Sequence, residues 1–112
     1  MVKKSTRAVK ADEGLAEAAD LFRLLGEPGR LRLMLMCRDA EPSVGAMAEA
    51  LGLSESLVSH HLRLLRAGRL VKSRRAGRHV HYGLADAHVS RIIGDMLDHV
   101  GEARAHGKRR SR

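Results

Sequence analysis

Four side chains near the C-terminal end of the chain have the types and the spacing of metal ligands. Asp86 and His88 are two residues apart, and His99 and Glu102 follow after ten more residues. On one helix His88 and His99 would share a face, but they would lie about 16 Å apart along its axis. Since metal–nitrogen bonds are about 2 Å long, one helix cannot bring both imidazoles to one ion. Two antiparallel copies can, giving two equivalent sites of mixed imidazole and carboxylate ligands that suit zinc or cobalt(II).

Each of these residues also has an ordinary structural explanation. Asp86 is a good N-cap for the helix that follows it. His88 and Glu102 are compatible with solvated charges at the rim of a helix, and a single histidine such as His99 is often half-buried and hydrogen-bonded. Asp95, one turn before His99, is a spare carboxylate that could replace Asp86. From these residues alone, a metal site and a set of unrelated surface residues both stay open.

The helix that would carry these residues has a wide apolar stripe. We expect it to begin after Asp86 and to reach about Arg104. The stripe consists of Val89, Ile92, Ile93, Met96, Leu97 and Val100. A terminal helix with so much apolar surface is expected to pack on its own domain and on a second chain. The sequence therefore predicts the homodimer that the metal site requires.

Upstream, hydrophobic periodicity and capping residues predict four further helices, at about 15–25, 28–38, 42–51 and 54–67. The stretch LVKSRRAGRHVHYGL alternates in polarity and predicts a two-stranded hairpin with its turn near Ala76-Gly77. A short helix, a tight turn and a second helix form a helix-turn-helix, and a hairpin after it makes a winged version. The predicted fold is mainly α with a small β-hairpin, dimeric through its terminal helices.

The fourth helix has the surface of a helix that lies in the major groove of DNA. Successive residues rotate by about 100°, which places Val58, Leu62 and Leu65 on one inward face. The opposite face is short, polar and basic, as contact with base edges and phosphates requires. His61 lies nearer the apolar face, so we expect it to pack in the core.

Charge and aromatic content favour duplex DNA as the partner. The net charge is +8, and no acidic residue lies between Glu55 and Asp86. A solvated positive face would explain the charge equally well, but Phe22 and Tyr82 are too few aromatics to stack on single-stranded nucleic acid. The predicted DNA-binding residues are Ser54, Ser56, Ser59, His60 and Arg63 on the helix and Arg74, Arg75, Arg78 and His79 on the hairpin.

Composition argues against several other classes of protein. No segment approaches 18 uninterrupted apolar residues, which argues against a membrane span. The single Cys37 rules out an intramolecular disulfide framework and fits a reducing cytosol. We expect a basic, disordered tail at 1–12, the folded domain at 13–104 and a second basic tail at 105–112.

Two functions outside gene regulation fit these residues less well. A small zinc hydrolase would need an open zinc position and a general base, which a closed set of four ligands does not provide. A chromatin-type basic protein would bind DNA without sequence preference and without a metal effect. We therefore expect no enzyme activity.

The chain resembles the ArsR/SmtB family of winged-helix repressors in LFRLLGEPGRLRLMLM, LGLSESLVSHHLRLLRAGRLV and RRAGRHVHYGL, within residues 15–103. The resemblance implies a cytosolic bacterial homodimer that binds an operator palindrome when metal-free and releases it when metal binds. The family's fifth-helix sensors carry Asp-x-His, ten residues, and then His-x-x-Glu or His-x-x-His. Asp86, His88, His99 and Glu102 match all four positions, so the resemblance assigns them as metal ligands.

The resemblance also narrows the choice of metal ion. Arsenic, cadmium and lead sensors of the family place a cysteine pair near the start of the third helix, where this chain reads AEPSVGAMAEAL. Cys37 lies upstream and is expected to be a core or near-surface thiol. Nickel sensing usually needs more ligands, for which only His106 is a further candidate. We expect zinc, with cobalt(II) or nickel(II) as alternatives, and a regulator that answers a non-metal signal or none stays open.

Overall fold

The computed structural model describes the backbone of residues 2–110 and the side chains of residues 12–107. Within this part of the chain, five helices and one hairpin follow one another along the sequence. They are α1 (Val2–Leu25), α2 (Pro28–Asp39), α3 (Val44–Leu51), α4 (Glu55–Ala67), β1 (Val71–Ala76), β2 (His79–Leu84) and α5 (Ala87–Arg110). The predicted winged helix-turn-helix is therefore confirmed, with α3 and α4 as the helix-turn-helix and β1 and β2 as the wing.

Local capping fixes the limits of the helix-turn-helix. The Ser54 hydroxyl accepts the backbone N–H of Leu57 at 3.1 Å, so Ser54 is the N-cap of α4. Ser43 caps α3 in the same way, so α3 begins at Val44 and not at Pro42 as predicted. Gly52 ends α3 with a φ of 65°, a left-handed conformation that favours glycine.

The core lies between α2, α3, α4 and the base of the wing. Its buried apolar residues are Leu33, Met34, Cys37, Met47, Ala48, Val58, Leu62, Leu65, Leu70, Val71 and Ile93. Three of them form the predicted inward face of α4, which is therefore confirmed. From the described part of α5, only Ile93 is buried. The core thus holds α4 firmly, whereas α5 touches it along one edge.

The outer helices are longer than the periodicity predicts. α1 begins at Val2, upstream of the predicted start, and α5 continues to Arg110 instead of ending near Arg104. The added turns carry no continuous apolar stripe, so their sequence gives no periodic signal. The predicted limits of the tails, 1–12 and 105–112, stay a prediction, although the backbone of 2–12 and 105–110 is helical. None of the helices in residues 2–110 combines the length and the apolar character needed to cross a bilayer.

The wing is a two-stranded antiparallel hairpin that runs from the pair Val71–Leu84 to the pair Ala76–His79. Its turn contains Gly77, with a φ of 63°, as the Ala76-Gly77 prediction requires. Because β1 follows α4 after only three residues, the wing is placed beside the predicted recognition helix.

Candidate DNA-binding surface and metal-ligand residues

The outward face of α4 carries the polar side chains predicted to contact DNA. Four of them are exposed and Ser59 is half-buried. The four exposed residues are Ser54, Ser56, His60 and Arg63. Since the inward face is packed in the core, this polar surface is rigidly presented to solvent. The contacts of these residues with DNA stay a prediction.

His61, on the same helix, faces the interior. It is 8% exposed, and its Nε2 atom lies 3.8 Å from Oε2 of Glu27. Glu27 accepts the backbone N–H of Arg30 at 2.8 Å and so caps α2. Backbone hydrogen bonds from Gly29 and Arg30 lower the pKa of Glu27. His61 is therefore a packed residue, as expected, next to a carboxylate whose capping role sequence reasoning missed.

The wing presents all four of its predicted DNA-contacting residues to solvent. Arg75, Arg78 and His79 are all exposed. Arg74 is also exposed, but its Nε and Nη2 atoms donate to Oε2 of Glu41 at 3.0 and 2.8 Å. The two residues are 33 positions apart, so no local sequence signal could reveal this ion pair.

Asp86 and His88 lie together at the start of α5. Asp86 Oδ1 accepts the backbone N–H of Val89 at 3.0 Å, which confirms Asp86 as an N-cap. The same oxygen lies 3.8 Å from Nδ1 of His88, and the two side chains are 55% and 85% exposed. A carboxylate and an imidazole are therefore adjacent and accessible, which suits half of a zinc site.

His99 and Glu102 form a second exposed pair, three residues apart on the same helix. Residues eleven apart on a helix are separated by about 16 Å, so His88 and His99 of one chain cannot share an ion. Consistently, the described residues contain no cluster of three or more His, Cys, Asp or Glu that could hold a metal. One chain thus offers two candidate half-sites, and both metal binding by them and their assembly into whole sites stay predictions.

The only cysteine of the chain does not have the properties of a metal ligand. Cys37 is a free thiol in the core, and burial raises its pKa to about 11. A thiol with so high a pKa is almost wholly protonated at neutral pH, and protonated sulfur is a poor metal ligand. This agrees with the expected core role of Cys37.

A continuous apolar surface lies between α1 and α5. Phe22, Ile92 and Met96 are 59%, 48% and 54% exposed and line one cavity between the two helices. Exposed apolar residues are normal singly, but a contiguous set of this kind marks an interaction surface. Asp86 and His88 line a cavity at the edge of this surface, next to Phe22. The first half-site is therefore contiguous with the surface expected to pack on a second chain.

Comparisons with known proteins agree with this architecture. The model of the family described as "Bacterial regulatory protein, arsR family" matches residues 27–73. The chain is 47% identical over 87 residues to a transcriptional repressor SmtB homolog of Synechocystis, covering 78% of this chain and 66% of that protein. It is 39% identical over 90 residues to the transcriptional repressor SmtB of Mycobacterium tuberculosis, covering 80% of this chain and 67% of that protein. The chain thus spans about two thirds of the length of these relatives.

Solved structures show the same fold. The homodimeric winged helix-turn-helix domain of a possible ArsR-family regulator from Mycobacterium bovis has a TM-score of 0.82 at 27% identity, covering 87% of this chain and 90% of that chain. The cadmium metal-sensor CmtR from Mycobacterium tuberculosis has a TM-score of 0.62 at 40% identity, covering 70% of this chain and 82% of that chain. The chain belongs to the ArsR family of bacterial regulatory proteins, which are transcriptional regulators and not enzymes.

Proposed function

We propose that this chain is a cytoplasmic, metal-responsive transcriptional repressor that binds an operator palindrome as a homodimer and releases it when zinc binds. The names of its relatives support repression and metal sensing, since the alignments include SmtB repressors and a cadmium sensor. The residues of this chain support zinc, because its candidate ligands are nitrogen and oxygen donors and its one thiol is buried.

One observation carries the proposal. The start and the middle of α5 each bear an exposed imidazole with a carboxylate near it in sequence, and exposed apolar residues lie between the two pairs. An antiparallel contact between two copies of α5 would bury the stripe and bring Asp86 and His88 of one copy towards His99 and Glu102 of the other. A two-fold axis would generate two such sites. Bound zinc would crosslink the copies in a closed four-ligand geometry.

The DNA-binding surfaces of such a dimer would act as a pair. In a winged helix-turn-helix dimer, the recognition helices enter successive major grooves about 34 Å apart. On each copy, the outward face of α4 would contact base edges, and Arg75, Arg78 and His79 would contact flanking phosphates or the minor groove. A change in the dimer contact alters the distance between the two α4 helices, and with it the fit to the operator.

The two functional surfaces approach each other at the end of α4. Arg69, which follows α4, lines the same cavity as Asp86 and His88. The His99 ring N–H that faces away from the ligand position could donate to a main-chain carbonyl near Arg69, which would connect the α5 contact to the recognition helix. A coupling free energy of 1–3 kcal/mol would be typical, which changes DNA affinity by about 5- to 150-fold.

The test is a zinc titration of the purified protein, with His88→Ala as the ligand variant and Asp95→Asn as its control. We expect roughly one tight ion per chain, lost in His88→Ala and kept in Asp95→Asn. Loss in Asp95→Asn with retention in Asp86→Asn would assign the carboxylate to Asp95. Binding no tighter than micromolar would contradict the zinc proposal and favour a family member that answers another signal or none.

The same protein then tests regulation. Operator binding measured with zinc, cobalt(II) and nickel(II) should weaken with zinc most strongly, within the coupling range given above. A His106→Ala variant that loses only the nickel response would show that this residue adds a ligand for nickel. Unchanged operator binding in the presence of tightly bound zinc would contradict regulation while leaving the metal site intact.

A further inference from the structure

We propose that Glu41 competes with DNA phosphates for the guanidinium of Arg74 and thereby limits the contribution of the wing to DNA binding. The inference rests on the proposed DNA-binding function. It concerns an acidic residue that lies outside both the recognition helix and the metal-ligand pairs.

The contact between the two side chains is close but open to solvent. Arg74 Nε and Nη2 both donate to Oε2 of Glu41, at 3.0 and 2.8 Å. The side chains of Arg74 and Glu41 are 58% and 48% exposed. The guanidinium is therefore held by a carboxylate in the free chain while a phosphate can still reach it.

The backbone of the loop between α2 and α3 fixes the position of Glu41. The carbonyl oxygen of Glu41 accepts Nδ1–H of His81 at 2.7 Å, and the carbonyl of Pro42 accepts the N–H of Tyr82 at 3.0 Å. Ser43 forms a bridge with His81, so residues 41–43 run along the free edge of β2. The loop thus lies against the edge of β2 through one isolated bridge and two hydrogen bonds, which anchor Glu41 to the wing.

From this edge the side chain of Glu41 crosses β2 to reach Arg74 on β1. It passes over Gly83, where an added Cβ would lie 3.4 Å from Glu41 Oε1. Lys72 and Arg74 are the β1 partners of Gly83 and His81 in the hairpin register. Residues 56–85 contain no acidic residue, so Glu41 places a negative charge beside an otherwise basic hairpin.

Carboxylates and phosphates bind a guanidinium through the same forked hydrogen bonds, so the two anions exclude each other at Arg74. When DNA reaches the wing, Arg74 must leave Glu41 before it can bind a phosphate. Exposed ion pairs are weak, so the expected penalty is about two- to five-fold in DNA affinity. The ion pair therefore lowers the affinity for DNA without preventing binding.

The experiment compares the unmodified protein with Glu41→Gln, Arg74→Gln and the double variant. The probe is a fluorescein-labelled, mixed-sequence duplex of about 30 base pairs, long enough for two half-sites one helical turn apart. A phosphate contact does not depend on sequence, so this duplex suffices. Asp39→Asn is the matched control, because Asp39 carries the same charge two residues away and pairs with Arg38, not with the wing.

We expect Glu41→Gln to bind this duplex about two- to five-fold more tightly, and the gain to vanish when Arg74 is also replaced. Asp39→Asn should give a smaller gain that is equal in both backgrounds. No gain, a loss, or an equal gain with and without Arg74 would overturn the inference, because a purely structural role for Glu41 predicts weaker binding.

The outcome separates this inference from the proposed function. If the unmodified protein binds the duplex and Glu41→Gln binds no better, only the competition is wrong. If the unmodified protein binds no duplex at all, the proposed function fails and the inference fails with it. Thermal unfolding of each variant verifies that the wing and the core are intact.

Discussion

The α4–wing region and the α1–α5 surface are built on opposite principles. α4 buries three aliphatic side chains almost completely, is capped by Ser54 and is followed by a wing that the loop before α3 anchors. The described part of α5 fully buries only Ile93, while Ile92, Met96, Leu97 and Val100 and the predicted ligands are exposed. One region is complete within a single chain, and the other presents an apolar surface and candidate ligands that a second chain would complete.

This difference separates the two activities of the proposed repressor. A DNA-binding surface that a core holds rigidly needs no partner to acquire its shape. A metal site divided between two copies exists only in the dimer, so occupancy of the site and dimer geometry become one equilibrium. Regulation can then act on the spacing between two rigid DNA-binding surfaces without altering either of them.

The largest loss of stability should come from a core substitution in the α4–wing region. Leu62 is 1% exposed, and its replacement by Ala should lower the free energy of unfolding by about 2–5 kcal/mol. Ile92 on α5 is 48% exposed, and Ile92→Ala is the matched control of similar size. Urea denaturation at several protein concentrations checks both. The loss for Ile92→Ala should be smaller and should depend on concentration, because it acts through association. Equal losses would contradict the contrast.

The α1–α5 surface should be most sensitive to the introduction of a charged side chain. Met96→Glu places a carboxylate on the exposed apolar surface and should weaken dimerisation by about tenfold or more. It should also weaken zinc binding, because each predicted site takes ligands from both chains. Sedimentation and zinc titration measure the two effects.

A control on the opposite side of α5 shows whether the effect of Met96→Glu depends on the apolar surface. Ala105 is nine residues further on, which at about 100° per residue is half a turn round α5. Ala105→Glu should leave dimerisation and zinc binding unchanged. A Met96→Glu protein that stays dimeric would place the dimer contact elsewhere.

The sequence predicts the complete region more fully than the incomplete one. The two faces of α4, its Ser54 cap and the turn at Gly77 follow from local patterns, because capping and helical periodicity depend on near neighbours. Sequence spacing also predicts the two candidate ligand pairs near and within α5. Whether they meet depends on a second chain, which spacing within one chain cannot determine.

What the sequence does not predict is long-range or unpatterned. The Glu41–Arg74 ion pair joins residues 33 positions apart, and only the folded wing brings them together. The added turns of α1 and α5 have no apolar stripe, so their helical state left no periodic signal. Pro42 predicts the start of α3 because Pro favours the first helical turn, but Ser43 is the N-cap and the helix begins at Val44.

The smallest loss of stability should come from Glu27, which caps α2 and faces His61 of α4. Backbone hydrogen bonds lower the pKa of Glu27 below its model-compound value of 4.5. A carboxyl group whose pKa is lowered in the folded state contributes stability above its unfolded pKa and loses it as the pH falls through the folded value. Glu27→Gln should therefore reduce stability at pH 7, and the difference from the unmodified protein should shrink as the pH falls below about 4.5. Urea denaturation at neutral and acidic pH measures this, with Glu49→Gln as an exposed control on α3. A difference that stays constant with pH would mean that Glu27 acts by shape and not by charge.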